Sequence, residues 1–398
     1  MATTLFFSAF MSAIVWFFVL AGNTGSPGAW IYSAFLVVLF FRMLQTGEIS
    51  RHRRIFLVNF AVFFAISFIG IMIDERGTMA IAADTMQNSA NPFCHIIIPA
   101  MAIPYALTKT IIFPARMIGH FASVVMMLLY WFIATITIGR GWCSWVCFYG
   151  GWEEGASRLA KKPRIQVLSR NRDIRAFQFA FFIFIILVSV AFLSSVYCEW
   201  FCPFKIVTEF SPVVRFRDLF GATIFIAAFL GLVIVMPILT RKRFQCSAFC
   251  PFGAFQSLVD RVSGYKIKID TEKCTGCLKC ATACQFCAID RETIEDKKGQ
   301  PELTCAKCGE CIAACPAGAI SYEFKFAMPK RKCGSSPDDC AHAPRRPDPS
   351  TPFGRFVLAL LEPQNLFVFS AYTFGVVMSS RFVPDAIGRI IALFTGGM

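Results

Sequence analysis

The chain has 398 residues, a formal net charge of +14 and eighteen cysteines. Hydrophobic residues make up 56% of it, and a mean hydropathy of +0.59 excludes an ordinary soluble domain of this length and points to a membrane protein. The positive balance does not argue for nucleic acid, because the charges gather at the ends of apolar segments, where they act as topology signals.

Residues 4–21 and 29–41 are apolar and are joined by an uncharged turn from Gly22 to Gly28. They predict a hairpin of spanning helices, the second running on to about Leu44. The first charge is Arg42, so no basic n-region announces a cleavable signal. Further spans are predicted at 55–73, 118–138, 177–196 and 219–239, each near the ~20 residues that a bilayer requires. Alternation puts loops 42–54 and 139–176 on one side, together with everything after residue 240. Those loops carry four and eight Lys or Arg, and Arg241, Lys242 and Arg243 follow. The opposite loops, 22–28, 74–117 and 197–218, carry none, three and three. The positive-inside rule then makes the basic side cytoplasmic and the membrane a cytoplasmic (inner) one.

Loop 74–117 runs from a polar stretch through Cys94 and His95 into an apolar run broken by Pro99, Pro104 and Pro114. A re-entrant or interfacial segment on the outer side is expected there. The domain plan is a three-span region at 1–73, this loop at 74–117, a membrane core at 118–262, a ferredoxin unit at 263–328, a basic, Pro-rich linker at 329–354 and an apolar segment at 355–398. The linker holds Cys333 and Cys340. The last segment is a candidate seventh span interrupted by Glu362-Pro363, and the stretch around Arg389 is expected to lie along the surface. The fold class is therefore mainly α, a polytopic helical membrane protein of six or seven spans with an inserted α+β ferredoxin-like domain.

That domain carries the most specific chemistry. Cys274, Cys277, Cys280 and Cys284 form one C-x2-C-x2-C-x3-C run, and Cys305, Cys308, Cys311 and Cys315 form a second. Such runs hold cubane clusters in bacterial two-cluster ferredoxins, and the fourth cysteine of each reaches the other cluster. The wiring crosses: Cys274, Cys277 and Cys280 go with Cys315, and Cys305, Cys308 and Cys311 with Cys284. A pair of zinc sites is the competing reading, although zinc favours two separated C-x2–4-C pairs. The halves repeat with a period of 31 residues. Gln285 follows Cys284 where Pro316 follows Cys315, and an extra Cys287 reads either as a small core thiol or as an alternative ligand.

Three C-x3-C pairs sit at membrane-helix ends: Cys143 and Cys147, Cys198 and Cys202, and Cys246 and Cys250. A spacing of four puts both sulfurs on one face of a helical turn. Two such faces meeting supply four thiolates, enough for one more cluster. By the alternation above, the first and third pairs share the cytoplasmic side. The second lies outside with Cys94 and His95 as its candidate company, or as a Cys198–Cys202 disulfide. The competing reading for all three pairs is that Cys and Trp are common at buried helix ends. His120 reads as a satisfied polar residue.

These residues resemble the membrane-bound polyferredoxins of nitrate and nitrous-oxide respiration, the NapH/NosR type. In that family, spanning helices carry C-x3-C-P motifs and a cytoplasmic two-cluster ferredoxin follows. The resemblance covers roughly residues 118–322. Cys198, Cys202 and Pro203 match its motif, as do Cys246, Cys250 and Pro251, whereas Cys147 is followed by Phe148. The resemblance implies an electron-transfer subunit rather than a stand-alone enzyme, with two [4Fe-4S] clusters and further clusters at the membrane-end cysteines. Electrons would pass between a quinol pool or cytoplasmic donor and an extracytoplasmic redox partner. A biogenesis factor that reduces or delivers metal is the alternative, and a redox sensor is a third reading. Expected company is membrane lipid, other redox subunits and a quinone, with no nucleic acid.

Overall fold

A computed structural model describes residues 2–77, 98–99, 124–193, 196–205, 216–295, 299–325 and 350–395. Cys94, His95, His120, Cys333 and Cys340, and nearly all of the outer loop, lie outside the described residues. The apolar hairpin forms α1 (Ala2–Val15), extended by a π turn at Trp16–Leu20, and α2 (Pro27–Thr46). Pro27 at the first turn and left-handed Gly47 just past the end are the expected start and stop signals. Met11, Val15, Leu36, Phe40 and Met43 fill the seam of this hairpin. After it, α3 (Ile49–Gly77) follows.

The membrane core begins with α4 (Val124–Thr137) and α5 (Phe148–Leu159). Helix α5 lies along α3, with Phe148 stacked on Phe64 at 3.6 Å and Glu154 paired with Arg53 at 3.1 Å. Next come α6 (Asn171–Phe192) and a rod made of α7 (Phe216–Ala228), a π segment at Phe229–Val235 and α8 (Met236–Thr240). Helix α9 (Pro251–Val259) leads into the ferredoxin unit. Among the described residues, five helices are long and apolar enough to cross a membrane, or six if one bent pair counts as a span. Of the stretch predicted at 118–138, residues 124–138 are described, and α4 covers Val124–Thr137.

In the ferredoxin unit, β1 (Tyr265–Ile269) and β2 (Ile320–Phe324) pair antiparallel, from Tyr265 opposite Phe324 to Ile269 opposite Ile320. The side chains of β1 alternate between buried and half-buried, as a sheet with one covered face requires. Helices α10 (Lys279–Ala283), α11 (Arg291–Glu295) and α12 (Glu310–Ala314) complete it.

The C-terminal segment forms α13 (Pro352–Leu360), α14 (Pro363–Ser379) and α15 (Phe382–Thr395). Pro363 disfavours helix at Glu362, which separates α13 from α14. Phe367 of α14 stacks on Tyr322 of the ferredoxin sheet at 4.6 Å, and Tyr372 donates to the Leu36 carbonyl at 2.9 Å. A 48° bend then leads into α15.

The stretch around Arg389 lies in α15. Helix α15 climbs beside α3, with Phe382 against Phe64 at 4.7 Å and the Ser67 hydroxyl donating to Asp385 at 2.6 Å. Arg389 pairs with Asp385 at 2.9 Å. Gly28 makes this packing possible, because a Cβ there would sit 2.4 Å from the Pro384 carbonyl oxygen.

Candidate functional site

Each half of the ferredoxin motif folds its cysteine loop through left-handed backbone at equivalent places. Gly276 and Leu278 take this conformation in the first half, and Lys307 and Gly309 in the second, again 31 residues apart. Helix α10 or α12 begins directly after the left-handed residues. Cys280 lies within electrostatic reach of Cys274 and Cys315. Cys305, Cys308 and Cys311 each lie within reach of Cys284. A small cavity is lined by Cys274, Cys277, Cys280 and Cys315. The structure thus brings together the two crossed sets of four. The Cys284 sulfur accepts from the Ala288 N–H at 3.3 Å and the Cys315 sulfur from the Ala319 N–H at 3.4 Å, the same contact in both halves.

The two sets differ in depth. Cys277 is exposed, whereas Cys308 and Cys311 are buried. Burial pushes the Cys305 thiol up to about 11 and the Cys308 thiol to about 12. Thiolate at these positions therefore requires a cationic centre. Cys287 is fully buried with left-handed backbone, and its carbonyl accepts from Arg175 at 2.8 Å.

The first and third C-x3-C pairs also come together. Cys147 lies within electrostatic reach of Cys143 and Cys250, and Cys246 within reach of Cys147 and Cys250. Cys143 and Cys147 flank the turn that opens α5, and Cys246 and Cys250 flank a π turn that opens α9. Glu153 of α5 fastens the two turns by accepting from the N–H groups of Gln245 at 2.7 Å and Cys246 at 3.0 Å. Burial raises the Glu153 carboxyl to about 7, against the pull of Arg243 and these N–H groups. Burial likewise raises the thiols of Cys143, Cys147 and Cys246, and takes Cys250 to about 12.

Three buried thiols and a half-buried fourth, Cys250, beside two buried guanidinium groups, Arg140 and Arg243, suit an anionic iron–sulfur cluster. Among the described residues the Nε, Nη1 and Nη2 atoms of Arg140 find no oxygen acceptor, and the guanidinium faces the Cys143 thiol. Among the described residues, no three His, Cys, Asp or Glu converge on a point that would hold a single metal ion. A zinc site would draw its sulfurs to within about 2.3 Å of one ion.

The ferredoxin unit is seated directly on this membrane-end site. The Ser144 hydroxyl donates to the Ala306 carbonyl at 2.6 Å, joining the neighbours of Cys143 and Cys305. The Arg243 N–H donates to the carbonyl of Gln285, next to Cys284, at 3.0 Å. Lys242 Nζ donates to the carbonyls of Ala281, Thr282 and Cys284, capping the C-terminal end of α10.

Between these contacts runs a buried charge network. Arg53 bonds Glu154 and Glu310 at 3.1 and 3.2 Å, and Arg158 reaches Glu310 at 2.6 Å. Burial opposes the charge of Glu154, but Arg53 and Arg243 hold its carboxyl at about 2. Gln285 enters the same network with its amide nitrogen 2.9 Å from Glu154 and its oxygen 2.9 Å from the Ser157 hydroxyl. A proline here, as in the second half of the repeat, would lose both contacts. Gly150 makes room for the network, since a Cβ there would lie 1.7 Å from Arg243 Nη2.

The sequence concealed much of this site. Arg53, Arg140, Lys242 and Arg243 read as loop charges that report topology, yet all four are buried at this interface. The available signal was position: Arg140 lies three residues before Cys143, and Arg243 three before Cys246.

The second pair is not at the far end of the helices. Helix α6 ends at left-handed Leu193, and the chain turns back through a π turn at Tyr197–Phe201. The Tyr197 hydroxyl accepts from Gln245, beside Cys246, at 2.7 Å. Phe204 packs on Tyr149 at 4.3 Å, and Phe201 packs on Phe181 at 5.6 Å. Phe181 stands ten residues along α6, about 15 Å from its start. The turn that carries Cys198 is therefore folded back toward Gln245, the neighbour of Cys246. Simple alternation of straight spans missed this because it took the apolar run to continue through residue 196.

The family described as a 4Fe-4S binding domain matches residues 120–166, 175–217 and 222–270. Each matched stretch encloses one C-x3-C pair. YccM of Escherichia coli, named for electron transport, is 26% identical over 215 residues, 52% of this chain and 57% of its own. The ferredoxin-type protein NapH of Haemophilus influenzae is 26% identical over 189 residues, 46% of this chain and 62% of its own. Over this central region the chain is similar to the NapH-type ferredoxin proteins. It spans little more than half the length of YccM. An uncharacterized protein of Methanocaldococcus jannaschii is also 26% identical, over 54% of this chain and 75% of its own. No solved structure matches the chain. The matched stretches are those of a 4Fe-4S binding domain, and five of the described helices are long and apolar enough to cross a membrane.

Proposed function

We propose that this polyferredoxin is a one-electron conduit that carries electrons from the ferredoxin unit into the membrane, as a subunit of a larger redox complex. Cys274, Cys277, Cys280 and Cys315 would hold one [4Fe-4S] cluster, and Cys284, Cys305, Cys308 and Cys311 a second. Cys143, Cys147, Cys246 and Cys250 would hold a third at the membrane end. Each cluster passes one electron at a time, at a potential set by charge, hydrogen bonds and burial. The observation that carries the reading is the 2.6 Å hydrogen bond from Ser144 to Ala306, which joins residues adjacent to Cys143 and Cys305.

The protein's own groups supply the rest. Arg53, Glu154 and Glu310 lock the ferredoxin unit against α3 and α5, so the gap between the two sites is fixed. Two ferredoxin clusters near the inner surface cannot alone bridge a ~30 Å hydrocarbon core. Cys198 and Cys202, folded back toward Gln245, extend the row of thiols inward. Cys94 remains the candidate for completing that pair.

The cytoplasmic orientation retains its support once the buried cations are set aside, because Arg42, Arg51 and Arg54 still mark the first basic loop. The outer partner and the quinol pool belong to this proposal as the two ends of the path. The rod that ends in α8 buries the least of itself among the candidate spans, which leaves an apolar face for lipid or a partner subunit.

A vesicle assay tests the conduit. The protein is reconstituted with its ferredoxin unit outward, dithionite is added outside, and bleaching of trapped ferricyanide is followed. The intact protein should bleach it, and Cys246→Ser should stop it. Equal rates in protein-free vesicles and with the intact protein would end the proposal.

A further inference from the structure

Among the described residues no carboxylate pairs with Arg140. It is fully buried, and its guanidinium nitrogens find no oxygen acceptor; the side chain it meets is the Cys143 thiol. The Arg140 backbone N–H donates to Asp260 Oδ1 at 2.6 Å. That carboxylate also binds Lys307 Nζ at 2.6 Å and Lys325 Nζ at 3.2 Å. The Arg140 guanidinium lies 5.6 Å from the centre of the Phe286 ring, which also carries Arg243 at 4.8 Å. A cation–π contact is far weaker than the cost of desolvating an ion. The charge therefore requires an anion that the side chains do not provide. The Cys143 thiol is within its electrostatic reach.

The neighbouring cations are matched. Arg243 has Glu154 at 3.6 Å and donates to the Cys143 carbonyl at 3.0 Å. On the ferredoxin side, Arg53 is paired with Glu154 and Glu310, and Lys307 with Asp260. Arg175 is paired with Asp290 and Glu302. Glu153 uses both of its carboxylate oxygens on the N–H groups of Gln245 and Cys246. Lys242, beside Cys284, has no carboxylate but is held by three carbonyls, whereas the Arg140 head group has no oxygen acceptor among the described residues. In a low-dielectric interior, a nearby cation favours whichever redox state carries more negative charge.

We infer that Arg140 sets the reduction potential of the membrane-end site, holding it above both ferredoxin sites so that electrons run from the ferredoxin unit into the membrane. The inference rests on reading Cys143, Cys147, Cys246 and Cys250 as ligands of a cluster. Arg140 is a positioning and potential-setting residue; it need not be a ligand itself. The electron lost by a ferredoxin cluster is the one gained at the membrane end, so the transfer between them balances without a further reactant.

An EPR-monitored redox titration of the anaerobically purified full chain tests this, in unmodified, Arg140→Gln and Arg140→Lys forms, with iron counted in each. In the unmodified protein, the signal that disappears on Ser replacement of Cys143 and Cys246 should titrate above the other two. Arg140→Gln should disfavour its reduction at least tenfold, about 59 mV for one electron, with iron content unchanged. Arg140→Lys should stay near the unmodified value. A full iron complement with an unmoved midpoint in Arg140→Gln would overturn the inference. So would a membrane-end signal titrating below the ferredoxin signals in the unmodified protein, an ordering that can be read even if Arg140→Gln does not load. Absence of any third signal would instead defeat the cluster assignment beneath it.

Discussion

The ferredoxin unit and the membrane-end site each gather cysteines in fours, by opposite routes. In the ferredoxin unit, all eight cysteines fall between residues 274 and 315, and left-handed backbone recurs at the same offsets in both halves. A local motif therefore carries nearly all of its geometry. At the membrane end, Cys143 and Cys147 must meet Cys246 and Cys250 from about a hundred residues away. Glu153, α3 and the folding back of α6 bring them together. A C-x3-C pair specifies one half of a site, and the tertiary fold chooses the other half. The ferredoxin unit also keeps one cysteine, Cys277, at the surface, whereas the membrane-end thiols are largely enclosed. One region can meet a soluble donor, and the other is screened from water.

Four substitutions sharpen this contrast, in descending order of expected effect. Arg53→Ala leaves Glu154 and Glu310 buried beside an emptied position, and removing one partner of a buried pair costs about 3–5 kcal/mol. The loss should appear as a marked fall in the thermal midpoint of the detergent-solubilised protein, together with release of the ferredoxin unit to protease. Lys242→Ala deletes a cation that caps three carbonyls of α10, a loss of about 1.5–3 kcal/mol. Hydrogen exchange at residues 281–284 should rise accordingly.

Gln285→Pro makes the first half of the repeat match the second, yet it removes the contacts to Glu154 and Ser157. It should loosen docking by about 1–3 kcal/mol, read as faster exchange along α5 with both ferredoxin EPR signals kept. Glu323→Gln breaks only the half-exposed pairs with Lys266 and Lys268 on the strands, worth about 0–1 kcal/mol. The thermal midpoint should barely move. If Glu323→Gln proved as damaging as Arg53→Ala, the distinction between a fixed interface and a solvated surface would fail.

The legible parts of the sequence were those with a short period. Apolar stretches of span length marked five of the long helices, and the 31-residue repeat marked the crossed sets of cysteines. Strong interior context hid the rest. Arg53, Arg140 and Arg243 looked like interfacial cations because composition records charge and not depth. The π turn at Tyr197–Phe201 continued an apolar run, so its reversal left no break in the pattern. Gln285 was visible as a departure from Pro316, but its purpose requires Glu154, which is more than a hundred residues away.

The central claim is that the membrane end holds a cluster of its own. The most direct test is iron and acid-labile sulfide per chain in anaerobically purified protein, before and after Ser replacement of Cys143 and Cys246 together. The account predicts about twelve iron per chain or more, falling by about four in the double variant while the ferredoxin EPR signals persist. About eight iron in both forms would contradict it and return the membrane-end cysteines to a structural or thiol role.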